Sequence, residues 1–272
     1  MFENINIPIV YKYRPKLPIE QVHRLIETGE IFFSRADSFN DPFDTALTYN
    51  FEGLNTILAE KWIQHAAKRQ MPNASEMEQT KFAITRLAEI RNDPTYQRKM
   101  EKDSIEKNYR KFGICCLSAV NDDILMWAHY AQSHTGLCIG FNVNRLWMIA
   151  QQLVGSNELL ELMKVTYSNS KLQINFFEAM LSDDFEHVSK FVSTKSVHWQ
   201  YEKEYRLVFW HHPNSTFQFG ADIVQEVIFG CKFPSPERAS LIKSWGHHNP
   251  NISFFQATID SLEFKLNIVP II

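Results

Sequence analysis

Short apolar runs of strand length recur along this 272-residue chain, and the stretches between them obey no regular alternation. That irregular order constrains the fold more than any single motif does. Residues 7–13, IPIVYKY, read as a first strand closed by Arg14 and Pro15. Residues 17–30 put Ile19, Val22, Leu25 and Ile26 on one helical stripe, with Pro18 in the first turn and Gly29 as the C-cap. Residues 31–34, IFFS, form a buried strand, and residues 35–44, RADSFNDPFD, a loop rich in turn formers. From 51 to 111 the chain reads as helices with charged surfaces, broken at Pro72-Asn73 and at Asn92-Asp93-Pro94. Further strands are predicted at 112–120, 136–143, 164–168, 224–231, 253–259 and 261–269. One helix is predicted at 123–134, capped by Asn121 or Asp122 and ended by Gly136, and another at 234–248. A second helical region covers 144–195 around the strand at 164–168. Regular strand–helix–strand units, the mark of a doubly wound sheet, are absent. The predicted class is therefore α+β: a single domain over 1–272 on a mixed, mostly antiparallel sheet, with a helical insertion at 51–111 and a second helical region at 144–195. Neither GxGxxG nor GxxxxGKS/T occurs, so Rossmann and P-loop chemistry have no support.

A net charge of -3 excludes bulk electrostatic attraction to nucleic acid, though not a local basic groove. The cysteines Cys115, Cys116, Cys138 and Cys231 include no C-x-x-C pair, and two adjacent ones bridge each other only under strain. Reduced thiols of a cytoplasmic protein are expected. The N-terminus lacks a basic region followed by a long apolar run, and no apolar stretch reaches spanning length, so no membrane partner is expected. His134, His198, His211, His212, His247 and His248 form no zinc-binding spacing, and no metal is predicted.

Three stretches combine polar groups with turns or strand ends. In HWQYEKEYRLVFW, residues 198–210, an extended conformation would put Glu202, Glu204 and Arg206 on one face. Such a row is either a charged strand edge or the floor of a site. Two close carboxylates resist double ionisation, and a carboxylate can stabilise an oxocarbenium-like centre. In NDPFD, residues 40–44, Asn40 and Asp44 would bond to backbone and Phe43 would plug the core; Asp41 with Asp44 could otherwise meet Mg²⁺. In MWAHY, residues 126–130, Trp127 and Tyr130 have core spacing, while His129 is either a satisfied histidine or an acid–base group. Ser118 lacks the GxSxG surroundings of a hydrolase nucleophile, and Cys115 and Cys116 fit inert strand thiols.

Taken together, VYKYR, IFFSRADSFNDPFD, GICCLSAVNDDILMWAHYAQSHTGLCIGF, WQYEKEYRLVF and EVIFGC resemble a bacterial family known as domain of unknown function 2971. The order of the motifs is also similar to ADP-ribosyltransferases. That resemblance implies a split, mostly antiparallel sheet with an NAD-binding cleft. It implies Tyr11, Lys12 and Tyr13 on the first strand, a hydroxyl from Ser34 or Ser118, and Glu204 as catalytic residue with Glu202 upstream in E-x-E. It further implies that Asn40, Asp41, Phe43 and Asp44 flank the nicotinamide or acceptor, that Tyr13, Phe43 or Trp127 stack on a ring, and that Lys12 and Arg206 meet pyrophosphate. His129 and Tyr130 would complete the cofactor-binding set. Arg14 lies just past the expected cation position, and no Ser-Thr-Ser run is present. The expected function is an NAD-consuming ADP-ribosyltransferase-like enzyme, a toxin or phage-defence effector, with NAD as substrate and a protein or nucleic acid as acceptor. A non-catalytic nucleotide- or peptide-binding module and a metal-dependent nuclease or phosphohydrolase using Asp41, Asp44, Glu202 and Glu204 are the rival expectations.

Overall fold

The computed structural model describes residues 5–45, 47–53, 56–155, 159–181 and 185–271. In chain order its elements are β1 (Ile9–Arg14), α1 (Ile19–Thr28), β2 (Glu30–Phe33), β3 (Leu47–Asn50), α2 (Ile57–Gln70), α3 (Glu76–Asn92), α4 (Pro94–Tyr109) and β4 (Phe112–Ser118). Then follow α5 (Ile124–Tyr130), β5 (Leu137–Asn142), α6 (Val143–Leu153), β6 (Leu160–Lys164), β7 (Thr166–Ser168), β8 (Leu172–Asn175), α7 (Phe176–Leu181), α8 (Phe185–Ser193) and β9 (Thr194–Ser196). The chain closes with β10 (Glu204–Trp210), β11 (Ser215–Gln218), β12 (Val224–Phe229), α9 (Ser235–His248), β13 (Ser253–Ile259) and β14 (Leu266–Pro270). These gather into two compact units. The sheet unit holds Met1–Ser38, Lys111–Tyr167 and Val197–Ile272, and the helical unit holds Phe39–Arg110 and Ser168–Ser196.

The sheet unit is an α+β arrangement on an eight-stranded sheet in the order β14-β13-β12-β5-β1-β4-β10-β6. Its strands pair antiparallel except β12 with β13. Alternation along the strands separates two faces. Val10, Leu117, Ile139, Phe141, Leu207 and Val227 point into one core, which also takes Val22 and Ile26 of α1, Leu146 of α6 and Trp245 of α9. On the opposite face Tyr13, Cys138, Ile228 and Ala257 pack with Met126 and Trp127 of α5. Burying an aliphatic or aromatic side chain of this size contributes about 1.5–3 kcal/mol each, which makes the two faces the main source of stability. Helix α1 ends as its sequence predicts. Gly29 adopts φ 65°, and a Cβ there would lie 2.2 Å from the Gly220 carbonyl oxygen, so only glycine fits.

One joint in this sheet is weak. β1 and β4 meet at a single bridge, Tyr11 opposite Ser118. Away from it, other groups satisfy the β4 backbone. Lys12 Nζ donates to the Cys116 carbonyl at 2.8 Å. Ser34 exchanges backbone hydrogen bonds with Ile114 at 3.0 and 2.8 Å. The sheet thus consists of a five-strand and a three-strand part joined at one residue pair.

In the helical unit α2 and α3 pack together, with Ala59, Ile63 and Ala67 buried on one and Ala83, Leu87 and Ile90 on the other. Ser75 opens α3 with a reciprocal cap: its Oγ accepts from the Glu78 amide, and Glu78 Oε2 accepts from the Ser75 amide at 2.8 Å. β3 and β8 form a parallel pair, beside which Tyr49, Phe51, Trp62, Phe176 and Phe177 cluster, Phe51 stacked on Phe176 at 4.9 Å and the other pairs edge to face. Among the described residues no helix is long and apolar enough to cross a membrane.

Several local expectations need correction. Asp123, not Asn121 or Asp122, caps α5, its Oδ1 accepting from the Leu125 and Met126 amides. That helix stops at Tyr130 because Gln132, Ser133 and His134 take positive φ and turn the chain. The region at 144–195 is only partly helical. LELMK, residues 160–164, becomes the β6 edge because Leu160 and Leu162 alternate into the core against β10. β8 occupies Leu172–Asn175, with Ile174 buried. β3 and β11 carry no apolar run, each being four residues long and rich in polar side chains.

Candidate functional site

The stretch expected to run straight through 198–210 does not. Residues Val197–Glu202 form a 3-10 turn, and Lys203 at φ 42° redirects the chain before β10 begins at Glu204. Glu202 and Glu204 therefore do not follow one another along a single strand face. Nor is β10 an edge: it lies between β4 and β6, and Glu202, Glu204 and Arg206 are all buried. Burial of charge demands pairing. Arg206 supplies it, donating from Nε to Glu204 Oε1 at 2.8 Å and from a terminal nitrogen to Oε2 at 3.2 Å. This fork engages both Glu204 oxygens. Glu202 Oε1 accepts from the Tyr130 hydroxyl at 2.6 Å.

Across the strands the register builds a row. Glu226 of β12 lies opposite Gly140 of β5, Gly140 opposite Tyr11 of β1, Tyr11 opposite Ser118 of β4, and Ser118 opposite Glu204 of β10. Residues directly opposite share a face, so the row crosses five strands on the α5 side of the sheet. Gly140 makes room within it. A Cβ there would stand 3.0 Å from Tyr11 Cε1 and 3.1 Å from the Glu226 Cβ. Its absence lets the tyrosine ring lie over the strand and donate to Glu226 Oε2 at 3.1 Å.

The row has a closed and an open end. Ser118, fully buried, donates to the Glu202 carbonyl at 2.7 Å and accepts from the Val120 amide at 3.1 Å. Tyr11 and Glu226 are only half-buried. Burial, then the Glu226 charge, pushes the Tyr11 phenol up; burial also raises the Glu226 carboxyl, partly offset by the Tyr11 hydrogen bond.

Other expected site residues fall in different environments. Tyr13 is core, donating to the Val120 carbonyl at 3.0 Å with its ring edge-on to Trp127 at 5.3 Å. Trp127 is wholly buried, its indole nitrogen donating to the Asn121 carbonyl. Lys12 is used at the β1–β4 joint, and Ser34 Oγ donates to the Ile114 carbonyl. His129 is exposed beside Tyr130. Burial raises the thiol pKa of Cys138, as an inert thiol requires.

Asn40, Asp41, Phe43 and Asp44 belong to the helical unit. Phe43 does not plug the core: it is 62% exposed, with Lys171 Nζ over its ring at 5.4 Å. Asp41 Oδ1 accepts from the Phe43 amide, an Asx turn, while Asn40 is exposed. Asp44 Oδ2 meets Lys195 Nζ at 3.4 Å, both buried. Among the described residues no three His, Cys, Asp or Glu side chains are grouped to hold a metal.

Sequence reasoning missed Glu226 and Gly140. Their signals were an acid inside the apolar run VQEVIF and a glycine inside LCIGFN. Neither has meaning until the register brings them together. No curated protein and no solved structure matches the chain, and the resemblance to ADP-ribosyltransferases gains no support from these comparisons. Residues 126–207, which include Tyr130, Glu202, Glu204 and Arg206, match the family model described as "Protein of unknown function (DUF2971)".

Proposed function

We propose that the sheet unit is a nucleotide-binding module that takes the nucleoside end of an NAD-class ligand at the open end of the cross-strand row. The observation that carries this is the half-buried Tyr11–Glu226 pair beside the single bridge of the sheet. A tyrosine ring offers a stacking face, and a carboxylate accepts from ribose hydroxyls. The row carries Glu226 and Glu204, and Arg206 is already committed to Glu204, so this end favours sugar and ring over pyrophosphate. Glu204 holds Arg206 inside the fold and shapes the floor of the site.

A second function, NAD consumption by an ADP-ribosyltransferase-like enzyme, is favoured by one observation: Tyr11, Ser118 and Glu204 stand opposite one another on adjacent strands. For that chemistry Glu204 would have to leave Arg206 to stabilise the cationic sugar as the nicotinamide bond breaks. The acceptor, protein or nucleic acid, and a toxin or phage-defence role belong to this second function.

Calorimetric titration of NAD into the protein, with nicotinamide release followed in parallel, tests both. Binding without release, weakened by Tyr11→Phe and Glu226→Gln, is the expected result. Release that Glu204→Gln abolishes would replace the binding module with the enzyme. Absence of both binding and release, with and without cell extract, would reject both.

A further inference from the structure

The helical unit contains a groove of about 500 Å³ that the sheet unit's chemistry does not use. Its walls come from α2, α3, α4 and α7, and every lining residue belongs to the helical unit. Two kinds of side chain dominate it. Trp62, Phe82 and Tyr96 supply half-buried aromatic surface, and Arg69, Arg86 and Lys107 supply cations, against the single acid Asp103. Arg86 lies between two of the rings, 5.4 Å from the Phe82 centroid and 5.7 Å from that of Tyr96, and is also paired with Glu89 at 2.7 Å. Its guanidinium thus forms part of a flat wall. Arg69 and Lys107 are exposed.

We propose that this groove binds a small aromatic anion, of the class of a nucleoside mono- or diphosphate, with its ring against the aromatic wall and its phosphate on Arg69 and Lys107. The volume lies within the range of small-ligand sites. Stacking on aromatic and guanidinium planes accepts any base, while the cations select the charge. A small molecule fits better than a nucleic-acid chain, because the acids Glu76, Glu78, Glu89, Glu101, Asp103 and Glu106 are interleaved with the bases along α3 and α4. A polyanion spread over these helices would meet them as well. The site stands apart from the function proposed for the sheet unit.

Calorimetric titration with ADP, inorganic phosphate and a short single-stranded oligonucleotide tests it, using the full chain, Arg69→Ala/Lys107→Ala, Glu226→Gln, and the two combined. The two cations are exposed, so the double variant should keep the melting temperature of the parent. With the sheet-unit site weakened by Glu226→Gln, ADP is still expected to bind, and to bind about tenfold more weakly or worse once Arg69→Ala/Lys107→Ala is added. Raising the salt should weaken the parent's binding. An unchanged affinity on that addition would overturn the proposal, as would no ADP binding by the parent. Loss of ADP binding in Glu226→Gln alone would assign the ligand to the sheet unit. Phosphate bound as tightly as ADP, or the oligonucleotide bound in place of ADP, would overturn it too.

Discussion

Glu204 and Glu226 occupy the same row on the same face of one sheet, yet their surroundings are opposite. Glu204 lies on an interior strand, is 3% exposed, and has both oxygens on the guanidinium of Arg206. Glu226 is half-buried, faces a tyrosine hydroxyl, and has its carboxyl pushed up by burial. A buried carboxylate that is fully paired is a fixed part of the structure; one that is partly desolvated and holds a neutral partner can respond to ligand and pH. The E-x-E pattern marks the first, while the second, outside any such pattern, is the one left open to a ligand.

The largest effect should come from breaking the closed end. Arg206→Ala strands the Glu204 carboxylate inside the protein and is expected to cost about 3–5 kcal/mol, read as a shift in the urea midpoint. Replacing both partners together, as Glu204→Gln/Arg206→Met, should recover most of that loss and retain NAD binding. A double variant that is stable but no longer binds would make the pair functional and erase the contrast.

Gly140→Ala should follow, at about 1–3 kcal/mol from overpacking. The added methyl pushes against Tyr11, Ile9 and Glu226, so the Tyr11–Glu226 hydrogen bond should lengthen with it. A crystal structure of the variant with that bond intact would show that the glycine is not what places the ring. Tyr130→Phe, removing one donor to the Glu202 carboxylate, should cost about 1–2 kcal/mol by the same denaturation measurement.

The smallest effect lies at the open end and appears as pH dependence. The folded state raises the Glu226 pKa, so it favours the protonated carboxyl. That contribution is complete below the unfolded glutamate value of about 4.3 and is lost as pH rises through the folded value. Glu226→Gln keeps an oxygen for Tyr11 and cannot ionise. Its melting temperature should match the parent's in acid and exceed it towards neutral pH. A constant difference across the range would mean that Glu226 ionises in the fold as it does in water.

Much of the secondary structure was legible from local signals. Pro18 and Gly29 bracket α1, the Pro and Asn breaks divide α2, α3 and α4, and the apolar runs give β4, β5, β12 and β13. The failures share a cause. LELMK in β6 and LQIN in β8 are short and mixed, and a neighbouring strand settles their conformation. The turn at 197–203 is held by contacts from the end of β4 and the residue after it: Ser118 donates to the Glu202 carbonyl, and the Ala119 amide donates to that of Lys203. No periodicity within WQYEKEYR could reveal those partners.

By itself, then, the amino-acid order determined the α+β class, the mostly antiparallel sheet, the helices between 51 and 111 and the resemblance to the DUF2971 family. These depend on periodicity and on turn and cap residues, which act over a few positions. Only the tertiary structure decided that Glu204 is closed off and Glu226 is open, that Ser118 is spent on backbone, and that Tyr11 reaches across Gly140. Each of those depends on strand register and burial, which join residues 84 to 215 positions apart and set charge, hydrogen bonding and access together.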